Sequence, residues 1–232
     1  MRWPFTRYGT GTLLLCGGIC LLMAFGLSRL PGPWWVLPLL LLAFFLNFFR
    51  DPNRSAAGGE DELVSPADGL VADILEVDDP DLGTRCRRIG IFLNVFDVHV
   101  NRVPCTVEVT GVVRRTGLFL DARHPKATSD NEAATLLLRR TDGRRLAVRQ
   151  ITGKIARRII CPAKQGDRLA RGERYGMIRF GSRTELCVPI GEAGELLCKV
   201  GDRVKGGETL LLRYKPATAP KAPRAEAAAS RG

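Results

Sequence analysis

The segment Phe180-Gly181-Ser182-Arg183 sets a serine hydroxyl directly after a glycine, near the end of a β-rich stretch. Most Gly-Ser pairs are ordinary turns. A serine becomes a nucleophile when a base, itself oriented by an acid, stands beside it. Imidazole bases are scarce here: the only histidines are His99, in Asp97-Val98-His99-Val100-Asn101-Arg102, and His124, in Phe119-Leu120-Asp121-Ala122-Arg123-His124-Pro125-Lys126. Asp68, in Ser65-Pro66-Ala67-Asp68-Gly69, offers a carboxylate, although an Asp-Gly pair is usually a turn. His99 follows an apolar strand and, by itself, reads as a hydrogen-bonded structural residue. Ser182 lacks the Gly-x-Ser-x-Gly setting of a serine hydrolase. The seven cysteines (Cys16, Cys20, Cys86, Cys105, Cys161, Cys187, Cys198) show no Cys-x-x-Cys pair and no histidine cluster, so no metal site is expected. Their odd, scattered distribution fits reduced thiols in a cytosolic domain.

Two uncharged apolar runs, 12–28 and 33–49, precede these residues. Each could extend about 25 Å as a helix, at the lower limit for a membrane span. The linker Arg29-Leu30-Pro31-Gly32 breaks a helix twice, so a hairpin with both ends on one side is expected over residues 1–50. Arg2, Arg7, Arg50 and Arg54 flank the runs, whereas the turn holds only Arg29. The positive-inside rule then puts the termini and the following domain on the cytoplasmic side of a cell membrane. No small-x-small cleavage site follows the first run, which argues against a signal peptide. The hairpin crosses the bilayer or dips into it. The net charge of +11, from 35 Lys+Arg against 24 Asp+Glu, suits an anionic lipid surface. Aromatic residues are few beyond the hairpin and no recognition motif appears, so nucleic acid is not expected as a partner.

From Leu63 the pattern is short β-like segments, Ile89–Phe96, Thr106–Arg115, Ala133–Arg139 and Leu146–Ile151, separated by Gly, Asp and Pro. The expectation is a mainly β domain over 51–215. Gly166-Asp167-Arg168-Leu169-Ala170-Arg171-Gly172-Glu173 recurs 35 residues later as Gly201-Asp202-Arg203-Val204-Lys205-Gly206-Gly207-Glu208. A strand is expected after each copy, Tyr175–Phe180 and Thr209–Tyr214. Paired copies of this kind resemble the halves of a biotinyl/lipoyl-like β-sandwich. Residues 216–232 have little to bury and read as a disordered tail.

Taken in order, the hairpin, Ser65–Gly69, Asp97–Arg102 and Phe180–Arg183 resemble the short, membrane-attached form of phosphatidylserine decarboxylase, over residues 45–214. The resemblance implies that Ser182 attacks the carbonyl carbon of Gly181 to give an ester. Elimination then releases the upstream chain and leaves dehydroalanine, which hydrolyses to a pyruvoyl group and ammonia. The products would be a β chain, 1–181, and an α chain, 182–232, held together non-covalently. The pyruvoyl cofactor would form a Schiff base with phosphatidylserine and withdraw electrons as CO2 leaves, giving phosphatidylethanolamine. The family motifs assign Asp68 and His99 to catalysis. They also suggest Arg102, Arg157 and Arg158, the last two in Gly153-Lys154-Ile155-Ala156-Arg157-Arg158, as headgroup contacts. Longer members carry a second histidine where this chain has Arg102, which leaves the base in self-cleavage open. A serine-headgroup ether lipid would present the same reacting atoms, and a homo-oligomer is allowed. A non-enzymatic lipoyl-like adaptor is the alternative, but Met177-Ile178-Arg179 offers no lysine for modification.

Overall fold

A computed structural model describes residues 4–154, 158–179 and 182–216. The expected Arg157 and Gly181, and the tail from 217, lie outside the described residues. Two helices come first, α1 (Thr10–Leu27) and α2 (Val36–Phe48), then a mainly β domain. The helices form an antiparallel pair whose ends are stitched together: Thr6 N donates to Phe49 O at 2.9 Å and Asp51 N to Pro4 O at 2.8 Å. Buried positions on α1 are Leu13, Gly17, Cys20 and Ala24, mostly small residues that let α2 come close. The remaining faces expose leucines and phenylalanines such as Leu14, Leu22, Phe25 and Leu40. By length and composition α1 can cross a membrane. With 13 residues, α2 extends only about 20 Å. It begins at Val36 because Pro31, Gly32 (φ 98°) and Pro33 hold the chain in a turn.

The domain contains fourteen strands among the described residues: β1 (Glu62–Val64), β2 (Gly69–Asp79), β3 (Thr84–Leu93), β4 (Val100–Arg102), β5 (Val107–Arg115), β6 (Ala133–Arg139), β7 (Arg145–Ile151), β8 (Arg158–Ile160), β9 (Arg168–Leu169), β10 (Arg174–Arg179), β11 (Ser182–Pro189), β12 (Ala193–Leu196), β13 (Arg203–Val204) and β14 (Leu210–Tyr214). A four-residue helix, α3 (Ala127–Asp130), interrupts them. Four of the expected strands agree with β5, β6, β7 and β14 to within a residue at either end, and the one expected from Tyr175 agrees with the start of β10. The expected strand to Phe96 stops at Leu93 because Asn94 opens a turn, its N–H donating to Asp97 Oδ2 at 2.8 Å.

One sheet of eight antiparallel strands runs β13-β2-β3-β11-β7-β6-β5-β9, and two three-stranded sheets, β1-β14-β12 and β4-β10-β8, complete the domain. The eight-stranded order mirrors itself about the β11–β7 pair, and the repeat explains why. Gly166 N donates to Val109 O and Val109 N to Asp167 O, both at 2.8 Å; Gly201 N donates to Val71 O and Val71 N to Asp202 O, both at 2.9 Å. The turn glycines have matching left-handed φ values of 90° and 94°, which a side chain would strain. Each copy thus clips a two-residue strand onto the edge of the sheet. The apolar core draws Ile89, Leu136, Leu186, Tyr175 and Leu212 from all three sheets.

The outer face of β11 carries a different interior. Glu185 has no exposure; it accepts from Arg183 Nε at 2.8 Å, Arg149 Nη1 at 3.1 Å and Thr128 Oγ1 at 2.7 Å. Arg149 continues to Asp79 at 2.9 Å and Asp81 at 2.8 Å, and Arg183 to Asp73 at 2.7 Å. Gly90 leaves the space that the Arg183 guanidinium occupies.

Burial alone would raise the Glu185 carboxyl, but Arg183, Arg88 and Arg149 outweigh it and hold the group below its ordinary value. A depressed folded-state pKa contributes stability above the unfolded value of about 4.3, and that contribution is lost as pH falls through the folded value. Glu185→Ala would leave two buried guanidiniums short of a partner and is expected to cost about 3–5 kcal/mol. Thermal unfolding of detergent-solubilised protein over a pH series tests both points. The variant should unfold well below wild type at pH 7 and lose less stability on acidification.

Candidate functional site

Ser182 opens β11, with Leu93 of β3 as its cross-strand partner, and is fully buried. Arg179 ends β10 in a different sheet, so Arg179 and Ser182 belong to different sheets. The Ser182 Oγ has no hydrogen-bond partner among the described residues. Tyr175 and Tyr214 also carry unpartnered buried hydroxyls, but within the apolar core. An unpartnered buried hydroxyl is costly, and at a sheet crossing it marks strain or chemistry.

His99 immediately precedes β4 and is also fully buried. Its carbonyl accepts from Ile178 N at 3.3 Å, which ties it to the strand leading toward Ser182. The Nδ1 atom lies 2.9 Å from Asp97 O. A carbonyl only accepts, so Nδ1 carries the proton and Nε2 is the basic nitrogen of the neutral ring. Phe48, at the end of α2, covers the imidazole with ring centroids 4.4 Å apart. Burial pushes the His99 pKa down to about 4, and the positive charge of Arg50 adds to the effect. The Asp97 carbonyl and the Asp68 carboxylate oppose it.

Asp68 is fixed through both oxygens. Oδ2 accepts from Arg54 Nη2 at 2.8 Å, and Oδ1 from Arg54 Nη1 and from Gly206 N, the latter at 2.8 Å. Arg54, read from sequence only as a flanking charge, is therefore the direct partner of a candidate site residue. Arg102 is buried; its guanidinium donates to Asp51 Oδ1 at 3.1 Å, Pro52 O at 2.9 Å and Gly172 O at 3.0 Å. Burial and the neighbouring Arg174 lower its pKa to about 10, so it remains charged at neutral pH. Its hydrogen bonds go to the chain itself. Arg158 is exposed and pairs in register with Arg179. His124 is exposed, with Nδ1 accepting from Lys126 N at 3.2 Å.

The hairpin contributes to this site. Phe48, Phe49, Leu13 and Met177 form one buried cluster. Arg179 donates to Tyr8 O at 2.8 Å and to Thr12 Oγ1 at 3.1 Å, joining the end of β10 to the start of α1. Sequence patterning could not show this, because Phe48 and Phe49 belong to a run that is apolar on every side. Buried uncharged polar groups lie farther along β11: Asn101 Nδ2 donates to Thr184 Oγ1 at 3.0 Å and Gln150 Nε2 to Asn101 Oδ1 at 2.8 Å. A cavity of about 510 Å³ is lined by Thr106, Glu108, Arg139, Arg140 and Arg168 and includes neither His99 nor Ser182. No cluster of potential metal ligands occurs among the described residues.

Residues 41–212 match the family model described as phosphatidylserine decarboxylase. A phosphatidylserine decarboxylase proenzyme of Trichlorobacter lovleyi is 44% identical over 212 residues, covering 91% of this chain and 94% of the relative. Proteins of the same description from Rhodopirellula baltica (42% identical; 91% and 89% covered) and Syntrophus aciditrophicus (44%; 84% and 94%) are also similar.

The contact with Phe48 has a measurable consequence for His99. Phe48→Ala would admit water to the imidazole, and because burial is the main cause of the low pKa, that pKa should rise from about 4 toward the ordinary value. Carbon-13 NMR of histidine-labelled protein resolves the question, since the chain has only two histidines and the other, His124, lies exposed. An unchanged His99 midpoint in the variant would assign its depression to other groups.

Proposed function

The chain belongs to the phosphatidylserine decarboxylase family, and we propose that it is a self-processing, pyruvoyl-dependent enzyme that converts phosphatidylserine to phosphatidylethanolamine and CO2. The observation that carries the reading is the Ser182 hydroxyl, buried and without a partner among the described residues where the chain passes between sheets. The hydroxyl is not engaged by any side chain among the described residues, and the residue before it is glycine. In the first step its oxygen bonds to the Gly181 carbonyl carbon and displaces the peptide nitrogen, giving an ester. These features fit a pyruvoyl group at position 182. Once formed, that group supplies a carbonyl for the substrate amine and draws electrons from the breaking bond to the carboxylate.

The remaining roles fall to the chain's own residues. His99, neutral and with Nε2 as its basic nitrogen, is suited to accept and return a proton in a site that excludes water. Asp68, locked by Arg54 and the Gly206 amide, positions the loop and adds a fixed negative charge that favours protonation of His99. Arg102 holds the linker after α2 against β4, a positioning role.

The topology favours retention of both products of cleavage. An α chain starting at Ser182 would supply β11, flanked by β3 and β7, together with β13 against β2 and β14 against β1. Separating it would require breaking all of these ladders. The apolar outer faces of α1 and α2, with basic residues at their stitched ends, support anchoring in a membrane with the domain on the cytoplasmic side.

Mass spectrometry of purified protein tests the reading. Wild type should appear as fragments 1–181 and 182–232, the latter with a blocked N-terminus, and Ser182→Ala as one chain. His99→Ala should lose activity by roughly 10²–10⁴-fold, whereas His124→Ala should stay within about tenfold of wild type. Uncut wild-type protein with full decarboxylase activity would sink the pyruvoyl assignment.

A further inference from the structure

Several segments converge on the end of the eight-stranded sheet where β11 begins. Ser182 pairs with Leu93 and Arg183 with Ile151, so the loop after β3 and the segment after β7 emerge there. The first loop contains Phe96, 63% exposed, whose ring lies edge-on to Phe44 of α2 at 6.2 Å and 89°. Arg50, where the hairpin exits, donates to Phe96 O at 2.7 Å. The hairpin and this loop therefore meet through Phe44 and Phe96, with Arg50 beside them.

A second apolar point is built nearby. Leu118 and Phe119 are 56% and 37% exposed. They are not on a loose loop: buried Asn131 accepts from Leu120 N at 2.9 Å and donates to Leu120 O at 2.9 Å and Thr152 O at 2.8 Å. Thr152 directly follows β7, which fixes the segment at the Ser182 end. Large, partly exposed apolar side chains on a backbone fixed in this way, beside an apolar hairpin, signify a surface that is covered in use.

Cations surround these points. The Arg123 side chain is 70% exposed, stacks over Phe92 at 5.6 Å and is paired with Asp121 at 2.8 Å, and that of Arg203 is 66% exposed beside Asp97. Lys126 and Lys154 are exposed, and Lys154 is close enough to act on Asp121. Apolar side chains ringed by lysine and arginine match the boundary of an anionic bilayer, with acyl chains below and phosphates and carboxylates above.

We propose that this end of the sheet is a docking face for an anionic lipid bilayer, with Phe96, Leu118 and Phe119 entering the headgroup layer and the cations meeting its charges. The inference rests on the lipid-decarboxylase reading and adds the orientation: the Ser182 end faces the headgroups. A substrate could then present its serine carboxylate to the site without leaving the membrane.

The test uses the full chain in vesicles of phosphatidylcholine and phosphatidylglycerol. Its three native tryptophans are replaced by phenylalanine and Leu118→Trp supplies the probe. Phosphatidylcholine brominated near the headgroup should quench the emission about twofold or more, as expected for a side chain a few ångströms into the interface. Lipid brominated near the chain ends should quench it less. Equal emission in brominated and plain vesicles would overturn the proposal, and so would protection of the probe only in a self-associated form, which would give the face to a second copy. A gel of the same sample reports self-cleavage separately. A quenched but uncut chain would keep the docking face and defeat the self-processing reading.

Discussion

Between α2 and β1, the Asp51 carboxylate is held by two guanidiniums, accepting from Arg102 Nη2 at 3.1 Å and Arg174 Nε at 2.7 Å. Arg102 belongs to β4 and Arg174 to β10, so one buried anion fixes the hairpin exit to both strands that frame His99. Phe48 lies three residues before Asp51 and is placed over the imidazole by the same constraint. Two cations share one carboxylate in a site with little solvent. Removing that carboxylate would leave like charges facing each other, a far larger penalty than losing a surface pair. Helix packing, the state of His99 and the course of β10 toward Ser182 therefore depend on Asp51 together.

The mirrored sheet explains how the chain could be cut at its centre without losing its fold. Each half contributes a hairpin, β2–β3 or β5–β6, and an edge clip, β13 or β9. The clip for the first hairpin comes from late in the chain, after β11. The two repeat copies also meet: a side-chain carbon on Gly172 would lie 3.7 Å from Gly207 O. Interleaving of this kind distributes the strands that follow residue 181 among those that precede it. The fold is then maintained by ladders and core contacts, not by the peptide bond at 181–182.

Much of this fold is legible in the sequence because its signals are local. Val, Ile and Leu runs between breakers mark β5, β6 and β7, and the Gly-Asp repeat marks two turns that require left-handed glycines. The sequence also sets Ser182 immediately beyond a strand. What it conceals are pairings between distant residues. Arg54 and Asp68 sit in different segments, and Arg149, Glu185 and Asp79 meet only when β7, β11 and the β2–β3 turn come together. Burial is equally hidden. Arg102 reads as available to an anionic headgroup until its partners Asp51, Pro52 and Gly172 are seen, and Phe48 reads as a lipid-facing residue until His99 is found beneath it.

A histidine with a pKa near 4 is a weak base in an empty site, and the physical cause of that weakness suggests its use. Burial disfavours the imidazolium because no water solvates it; an anion brought beside the ring supplies the missing stabilisation. In a dry site this Coulombic gain is large, since screening is slight over a few ångströms. Asp68 already contributes in that direction but is held by Arg54, whose charge offsets much of its field. On the proposed reading, the proton affinity of His99 rises when an alkoxide develops at Ser182 or a carboxylate enters, and falls when the negative charge leaves. The imidazole is then neutral while the site is empty and basic only while negative charge is present. One histidine could in this way serve both self-cleavage and decarboxylation, without the second histidine carried by the longer form.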